Sequence, residues 1–208
     1  MARGLSVEKA VRAGVEIADE AGLDAVTMAA VARRCGFTTM SLYRHVSGKD
    51  ELVRRMLDEA LGVAPALPPG GDWRVGLRAW SQALLDVLDR HPWGIDVPIT
   101  GVLGTRAQLS WLDRGLEALA GTPLDEEAKA EIVLLLNGYV FWAARLRFQV
   151  PEAAIEVIPA ALDLDTFPSL ARAVAAGIFE DEGGERAEEF AFGLERVLDG
   201  VAALIRPG

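Results

Sequence analysis

Apolar residues in the first sixty positions recur at intervals of three and four, and this spacing most narrows what the chain can become. Val7, Ala10, Val11, Gly14, Ile17, Ala18 and Ala21 fall on one stripe, which is the period of a helix with one buried face. Ser6 is a suitable N-cap for it and Gly22 a suitable stop. Thr27 can cap a second, short helix through Met28, Val31 and Ala32, ending at Gly36, where glycine permits the left-handed turn that a tight reversal needs. A third helix is predicted over Thr38 to His45. Ser47-Gly-Lys-Asp50 reads as a capping-box start for a fourth, with Leu52, Val53, Met56, Leu57 and Ala60 inward. No strand-like alternation competes, so the fold class expected is all-α.

Two short helices joined at a glycine form a helix-turn-helix, whose second helix enters the DNA major groove. With Leu42 set inward at 100° per residue, Val46 and Thr38 share its side. Met40, Tyr43 and Arg44 point outward, with Thr39 and Ser41 on the flanks. Arginine can donate two hydrogen bonds to guanine, and methionine and tyrosine can meet thymine methyls or stack on the backbone. Ser41, Thr39, Tyr43 and His45 can donate to phosphates, and Lys49 adds charge. An ordinary helical bundle with Arg44 and Lys49 on a solvated face has the same periodicity, so spacing alone leaves both readings open.

Charge is informative only when divided. The 208 residues hold 21 Lys+Arg and 31 Asp+Glu, a net −10 that by itself argues against nucleic acid. Residues 1–60 hold nine of each sign and sum to zero, whereas the rest carry the whole −10. Between Arg33 and Arg55 the balance is six basic to two acidic. All ten prolines and all five tryptophans also lie after residue 60, and Pro65-Ala-Leu-Pro-Pro-Gly-Gly71 breaks any continuous helix. The division expected is into residues 1–60, which carry the DNA-facing helices, and residues 61–208. The longest uncharged run, Ile132 to Ala144, is 13 residues, too short for a membrane span of about 20. One cysteine, Cys35, and no apolar leader point to the cytoplasm.

Thr27-Met-Ala-Ala-Val-Ala-Arg-Arg-Cys-Gly36, Phe37, Ser41-Leu-Tyr-Arg-His-Val46 and Lys49-Asp-Glu-Leu52 together resemble the DNA-binding domain of the tetracycline-repressor (TetR) family. Asp72-Trp73, Arg90-His-Pro-Trp93, Leu103-Gly-Thr-Arg106 and Phe192-Gly-Leu-Glu-Arg-Val-Leu-Asp-Gly200 resemble its ligand-binding domain. The resemblance implies a homodimer that binds a palindromic operator in double-stranded DNA, with reading helices in major grooves about 34–36 Å apart. It places Thr27, Ser41, Tyr43, His45 and Lys49 against the backbone and Thr39, Met40 and Arg44 against bases, with Thr38 at the helix start. A base-reading arginine of the tetracycline repressor corresponds here to Ala29, so that operator does not carry over.

The second segment reads as further helices: one from Asp72 broken by Pro92, one from about Thr105 to Gly121, a long one from Leu124 to about Gln149, and a last one through Phe190 to Leu204. In the family the final two pair with their symmetry mates. Trp80, Leu84, Trp93, Val102, Trp111, Phe141 and Trp142 are candidates to line an effector cavity, with Arg106 and Asn137 as polar anchors; solid core packing is the alternative for each. The family's magnesium-binding positions read here as Pro65, Val102 and Arg147, none an oxygen ligand suited to that ion. No metal, no cofactor and no tetracycline are therefore expected, but a small organic effector of apolar or anionic chemistry. Catalysis finds no residues: His45 faces DNA, His91 reads as a helix C-terminal residue, and Cys35 as a packed side chain. Asp125-Glu126-Glu127 suits a helix start and Glu180-Asp-Glu182 a solvated loop. The function expected is ligand-responsive transcriptional repression, released by the effector. An effector-independent regulator is the alternative, and an enzyme on the same scaffold a remote one.

Overall fold

A computed structural model of the chain describes residues 6–98, 105–149, 166–177 and 186–206. All the regular elements among them are helical. Helix α1 (Val7–Ala21) begins where the Ser6 hydroxyl accepts the Lys9 N–H and ends at Gly22, at φ 80°. In α2 (Met28–Cys35) the Thr27 hydroxyl accepts the Ala30 N–H at 3.1 Å, and Gly36 closes the helix in the left-handed conformation. Both caps satisfy helix-end groups that would otherwise lack partners.

Helix α3 (Thr39–Tyr43) is shorter than the sequence predicts, and Thr38 is not on its inward side. Thr38 lies outside the helix as its N-cap, exposed, its hydroxyl accepting the Ser41 N–H. That role requires an extended backbone, which removes the residue from the helical wheel. The start of α4 (Lys49–Leu61) also differs. Asp50 takes no part in a capping box; Gly48 is the N-cap, and the Glu51 carboxylate reaches back to accept the Ser47 N–H at 2.7 Å and hydroxyl at 2.6 Å. Arg55, one turn on, donates to the same carboxylate. Glu51 is long enough to span the turn and Asp50 is not.

The remaining helices are α5 (Trp73–Arg90), α6 (Arg106–Ala118), α7 (Glu126–Gln149), α8 (Pro168–Ala175) and α9 (Arg186–Ile205). Asp72 caps α5 and Thr105 opens α6 with a full capping box. Neither α8 nor the 3₁₀ turn Pro92–Asp96 is evident in the sequence pattern. Helix α8 is only eight residues long, and its short apolar side, Leu170 and Val174, is no more than half-buried.

Two apolar cores result. The first gathers Val11, Ile17, Val31, Leu42, Leu52 and Met56 from α1–α4; the second gathers Leu77, Trp80, Leu84, Leu88, Trp111, Leu136 and Leu198. Close helix approach sets both. A Cβ on Gly14 in α1 would stand 2.6 Å from the Met56 sulfur in α4, and one on Gly115 in α6 would stand 2.7 Å from Val133 Cγ1 in α7. Trp93 is the exception to the division, since it follows α5 in sequence yet is buried in the first core. No described helix is long and apolar enough to cross a membrane.

Candidate nucleic-acid interface

Helix α3 is held by one residue and presents the others. Leu42 is fully buried, and Val46 just beyond the helix is buried beside it. Burying a leucine contributes about 1.5–3 kcal/mol, enough to seat a five-residue helix that could not form alone. On the opposite side Met40 is 71% and Tyr43 50% exposed, and Arg44, His45 and Lys49 are exposed with them. Ser41 and Thr39 are half-buried at the flanks, and the Thr38 and Ser41 hydroxyls lie 3.0 Å apart. The exposed apolar and cationic side chains of Met40, Tyr43 and Arg44 are therefore brought together on one outward face, with Lys49 at the start of the next helix.

The helices behind this face are braced by side chains that no local sequence pattern singles out. Lys9 Nζ donates to the Cys35 carbonyl at 3.0 Å and stands 5.1 Å from the Phe37 ring centre. It thereby fixes the turn between α2 and α3 from α1. Arg34 donates to both Glu16 and Glu20, which holds α2 to α1 and keeps the Glu20 carboxyl below its ordinary value. Glu51 is held down at about 2 by the Ser47 hydroxyl and N–H and by Arg55. Cys35 is buried, and burial pushes its thiol up, away from the thiolate a redox site needs. The Lys9 and Arg34 braces pair residues 14 to 26 positions apart, beyond the reach of any short motif.

A second set of bonds joins this head to the rest. One Asp19 oxygen on α1 accepts the Trp93 Nε1–H at 2.7 Å and lies 2.8 Å from His91 Nδ1. His91, expected only to meet a helix dipole, thus faces a carboxylate on another helix. Asp58 at the end of α4 accepts the Ala107 N–H at 2.8 Å, and Trp111 Nε1 donates to the Leu61 carbonyl.

The candidate cavity residues are spread more widely. Trp80 and Trp111 cross edge to face with ring centres 6.0 Å apart, both buried, and Trp80 Nε1 donates to the Trp111 carbonyl. Leu84 is buried one turn along α5. Trp93 lies at the junction with the head, Asn137 and Phe141 are half-buried on α7, and Arg106 is exposed at the start of α6. Trp142 is 57% exposed. Val102, Leu103 and Gly104, like Glu180-Asp-Glu182, lie outside the described residues. Among the described residues no cluster of three or more His, Cys, Asp or Glu is arranged to hold a metal ion.

Residues 10–56 match the family model for bacterial regulatory proteins of the tetR family, and residues 64–205 match the tetracyclin repressor-like C-terminal domain. The HTH-type transcriptional repressor DrrR1 of Streptomyces coeruleorubidus is 32% identical, across 97% of this chain and 78% of its own. The class D tetracycline repressor protein of Escherichia coli is 28% identical across 96% of this chain and 90% of its own. Among solved structures, the TetR family protein ActR of Streptomyces coelicolor, in complex with (S)-DNPA, superposes with a TM-score of 0.80 at 25% identity. That match covers 97% of this chain and 98% of ActR. With an exposed Met-Tyr-Arg face on a braced helix-turn-helix and both halves of the family's architecture in sequence, the chain belongs to the TetR family of DNA-binding transcriptional regulators.

Proposed function

We propose that the chain is a cytoplasmic, homodimeric repressor whose residues 1–60 read a palindromic operator and whose residues 61–208 bind a small organic effector and a second subunit. It acts by binding and catalyses no reaction. The observation that carries the reading is the contrast on the head's surface. The Arg44 and Lys49 side chains make no hydrogen bond or ion pair among the described residues, while Arg34 and Arg55 are paired with carboxylates. Cations left without partners beside an exposed methionine and tyrosine suit an anionic, methyl-bearing partner. Arg44, Met40 and Thr39 face bases in this reading; Thr27, Thr38, Ser41, Tyr43, His45 and Lys49 hold the backbone.

The dimer is supported by exposed apolar residues on two adjacent helices. Leu135 and Trp142 stand two turns apart on α7, and Phe192, 67% exposed, and Leu204 stand on α9. Arg74 bridges Glu195 and Asp199, and Arg78 bonds Glu195, so α9 is fixed to α5 with this stripe outward. Trp142 fits this interface better than a cavity. The effector reading draws support from ActR, whose structure contains (S)-DNPA. In this reading Trp80, Leu84, Trp111 and Phe141 supply its apolar lining, with Trp93 at the head-side end and Arg106 and Asn137 as polar groups; Val102, assigned to it from the sequence, lies outside the described residues. Weakening operator affinity a hundredfold takes about 2.7 kcal/mol of differential binding, within reach of one small ligand.

Selection of binding sites from a random duplex pool tests the DNA reading. It should enrich an inverted repeat whose half-site centres lie about one helical turn, or a multiple of it, apart; no enriched site would contradict it. The satisfied indole N–H groups of Trp80 and Trp111 favour a second reading, an effector-independent regulator with a solid core. A panel of planar aromatic acids separates the two. A ligand that raises Tm and releases the selected duplex supports the effector; none doing so supports the solid core.

A further inference from the structure

We propose that Arg33, near the end of α2, holds an operator phosphate and so extends the DNA contact surface beyond α3 and the capped starts of α2 and α4. The inference rests on the DNA-binding reading. Among the described residues of the head, the cations sort into two groups. Lys9 is taken by the Cys35 carbonyl and the Phe37 ring, Arg12 faces Glu59 at 4.0 Å, and Arg34 is bound to Glu16 and Glu20. Arg54 donates to the Asp50 carbonyl, and Arg55 is bound to Glu51. The side chains of Arg33, Arg44 and Lys49 make no hydrogen bond or ion pair among those residues. Two of these three are already placed at DNA, and Arg33 is the one left to explain.

Its neighbours make its freedom more pointed. Arg33 lies beside Glu20, Ile17 and Ala30 in the shallow groove between α1 and α2, so an acidic partner is at hand. Both Glu20 oxygens accept from Arg34 instead, one of them at 2.7 Å. Arg34 therefore ties the helices together; both arginines lie in the last turn of α2 and favour its dipole, but only Arg33 keeps a guanidinium that no carboxylate holds. The surface ahead of Arg33 is open. Residues four apart share a helix face, so Arg33 follows Ala29, and side chains on a helix lean toward its N-terminus. Between Arg33 and the capping Thr27 that face carries only alanines, Ala29 exposed and Ala30 half-buried. The rise from Ala29 to Arg33 is about 6 Å, a distance an extended arginine can follow toward the start of α2, where Thr27 is proposed to hold the DNA backbone. A charge arriving there is suited to phosphate, which any sequence supplies, and not to a particular base.

The experiment measures operator affinity against salt for the full-length protein, on a duplex enriched from a random pool by the native protein. Arg33→Gln keeps the helix preference of the side chain and most of its length, and removes its charge. Each phosphate that is no longer neutralised lowers the slope of log K against log salt by about 0.9, so two heads should lose about 1.8. Base preference and Tm should be unchanged. Arg34→Gln is the comparison: it should lower Tm and keep the slope. An unchanged slope in Arg33→Gln, or an equal fall in Arg34→Gln, would overturn the assignment. Salt-independent binding by the native protein would instead sink the DNA reading itself, and this inference with it.

Discussion

The reading head and the effector domain treat their polar and aromatic groups in opposite ways. Around α3 the groups of most chemical interest are turned outward: Met40, Tyr43, Arg44 and Lys49. In the larger domain the groups of most interest are turned inward and satisfied, as Trp80 and Trp111 are by each other and by main-chain carbonyls. A surface prepared for a macromolecule must hold its side chains ready before the partner arrives, whereas a site for a small molecule can stay closed until one binds. The difference also bears on why charge is neutral in the head and acidic elsewhere. Three of the head's own acids, Glu16, Glu20 and Glu51, fix its helices and a fourth, Asp19, ties it to the rest; none neutralises the outward cations.

The comparison can be broken most forcefully in the second core. Trp80→Ala removes a fully buried indole and leaves Trp111 without its edge-to-face partner; it should cost about 3–5 kcal/mol of stability. Calorimetry should show this loss in the larger domain. If Trp80→Ala left Tm unchanged, the tryptophans would not be core. Next comes the junction. Trp93→Phe keeps a buried ring and removes one charge-assisted hydrogen bond to Asp19, whose exposed carboxylate can turn partly to water; about 1.5 kcal/mol should be lost, read by denaturant midpoint. An unchanged midpoint would mean that the Asp19 bond contributes nothing.

Smaller still is the effect of removing the cap of α2. Thr27→Ala should lower stability by about 1 kcal/mol and weaken DNA binding of every sequence alike, which salt titration and melting would measure together. Smallest is the acid response of the turn into α4. The Glu51 carboxyl sits at about 2 against an ordinary 4.5. Its contribution is therefore fully present above about pH 4.5 and fades as pH falls toward 2. Glu51→Gln should lower stability across the neutral range, where that contribution is fully present, and flatten the acid limb between those values. An acid limb identical to that of the native protein would remove the Ser47–Glu51–Arg55 staple from the account.

The head's helices are legible in the amino-acid pattern because their signals are local. Ser6, Thr27, Gly22 and Gly36 each mark a boundary within a few residues of where the helix ends, and Leu42 fixes which side of α3 faces in. Thr38 is misplaced only when a helical wheel is extended through a capping residue. The long-range braces are not legible: Lys9 to Cys35, Arg34 to Glu20 and Asp19 to Trp93 join residues that only the packed fold brings together. Trp93 shows this most clearly. By position it belongs with the other tryptophans, but a helix break at Pro92 turns it back into the head. Helix α8 escapes notice for a plainer reason, since eight residues give its apolar side, Leu170 and Val174, too little length to stand out.

The central claim is that the outward face of α3 reads bases, and Arg44 is its most demanding element. Site selection with the native protein and with Arg44→Ala, alongside their melting temperatures, tests it directly. The account predicts an unchanged Tm, an affinity loss of about 1–3 kcal/mol on the native site, and relaxed preference at one base pair in each half-site. An Arg44→Ala protein that selects the same site with the same preference at every position would contradict it.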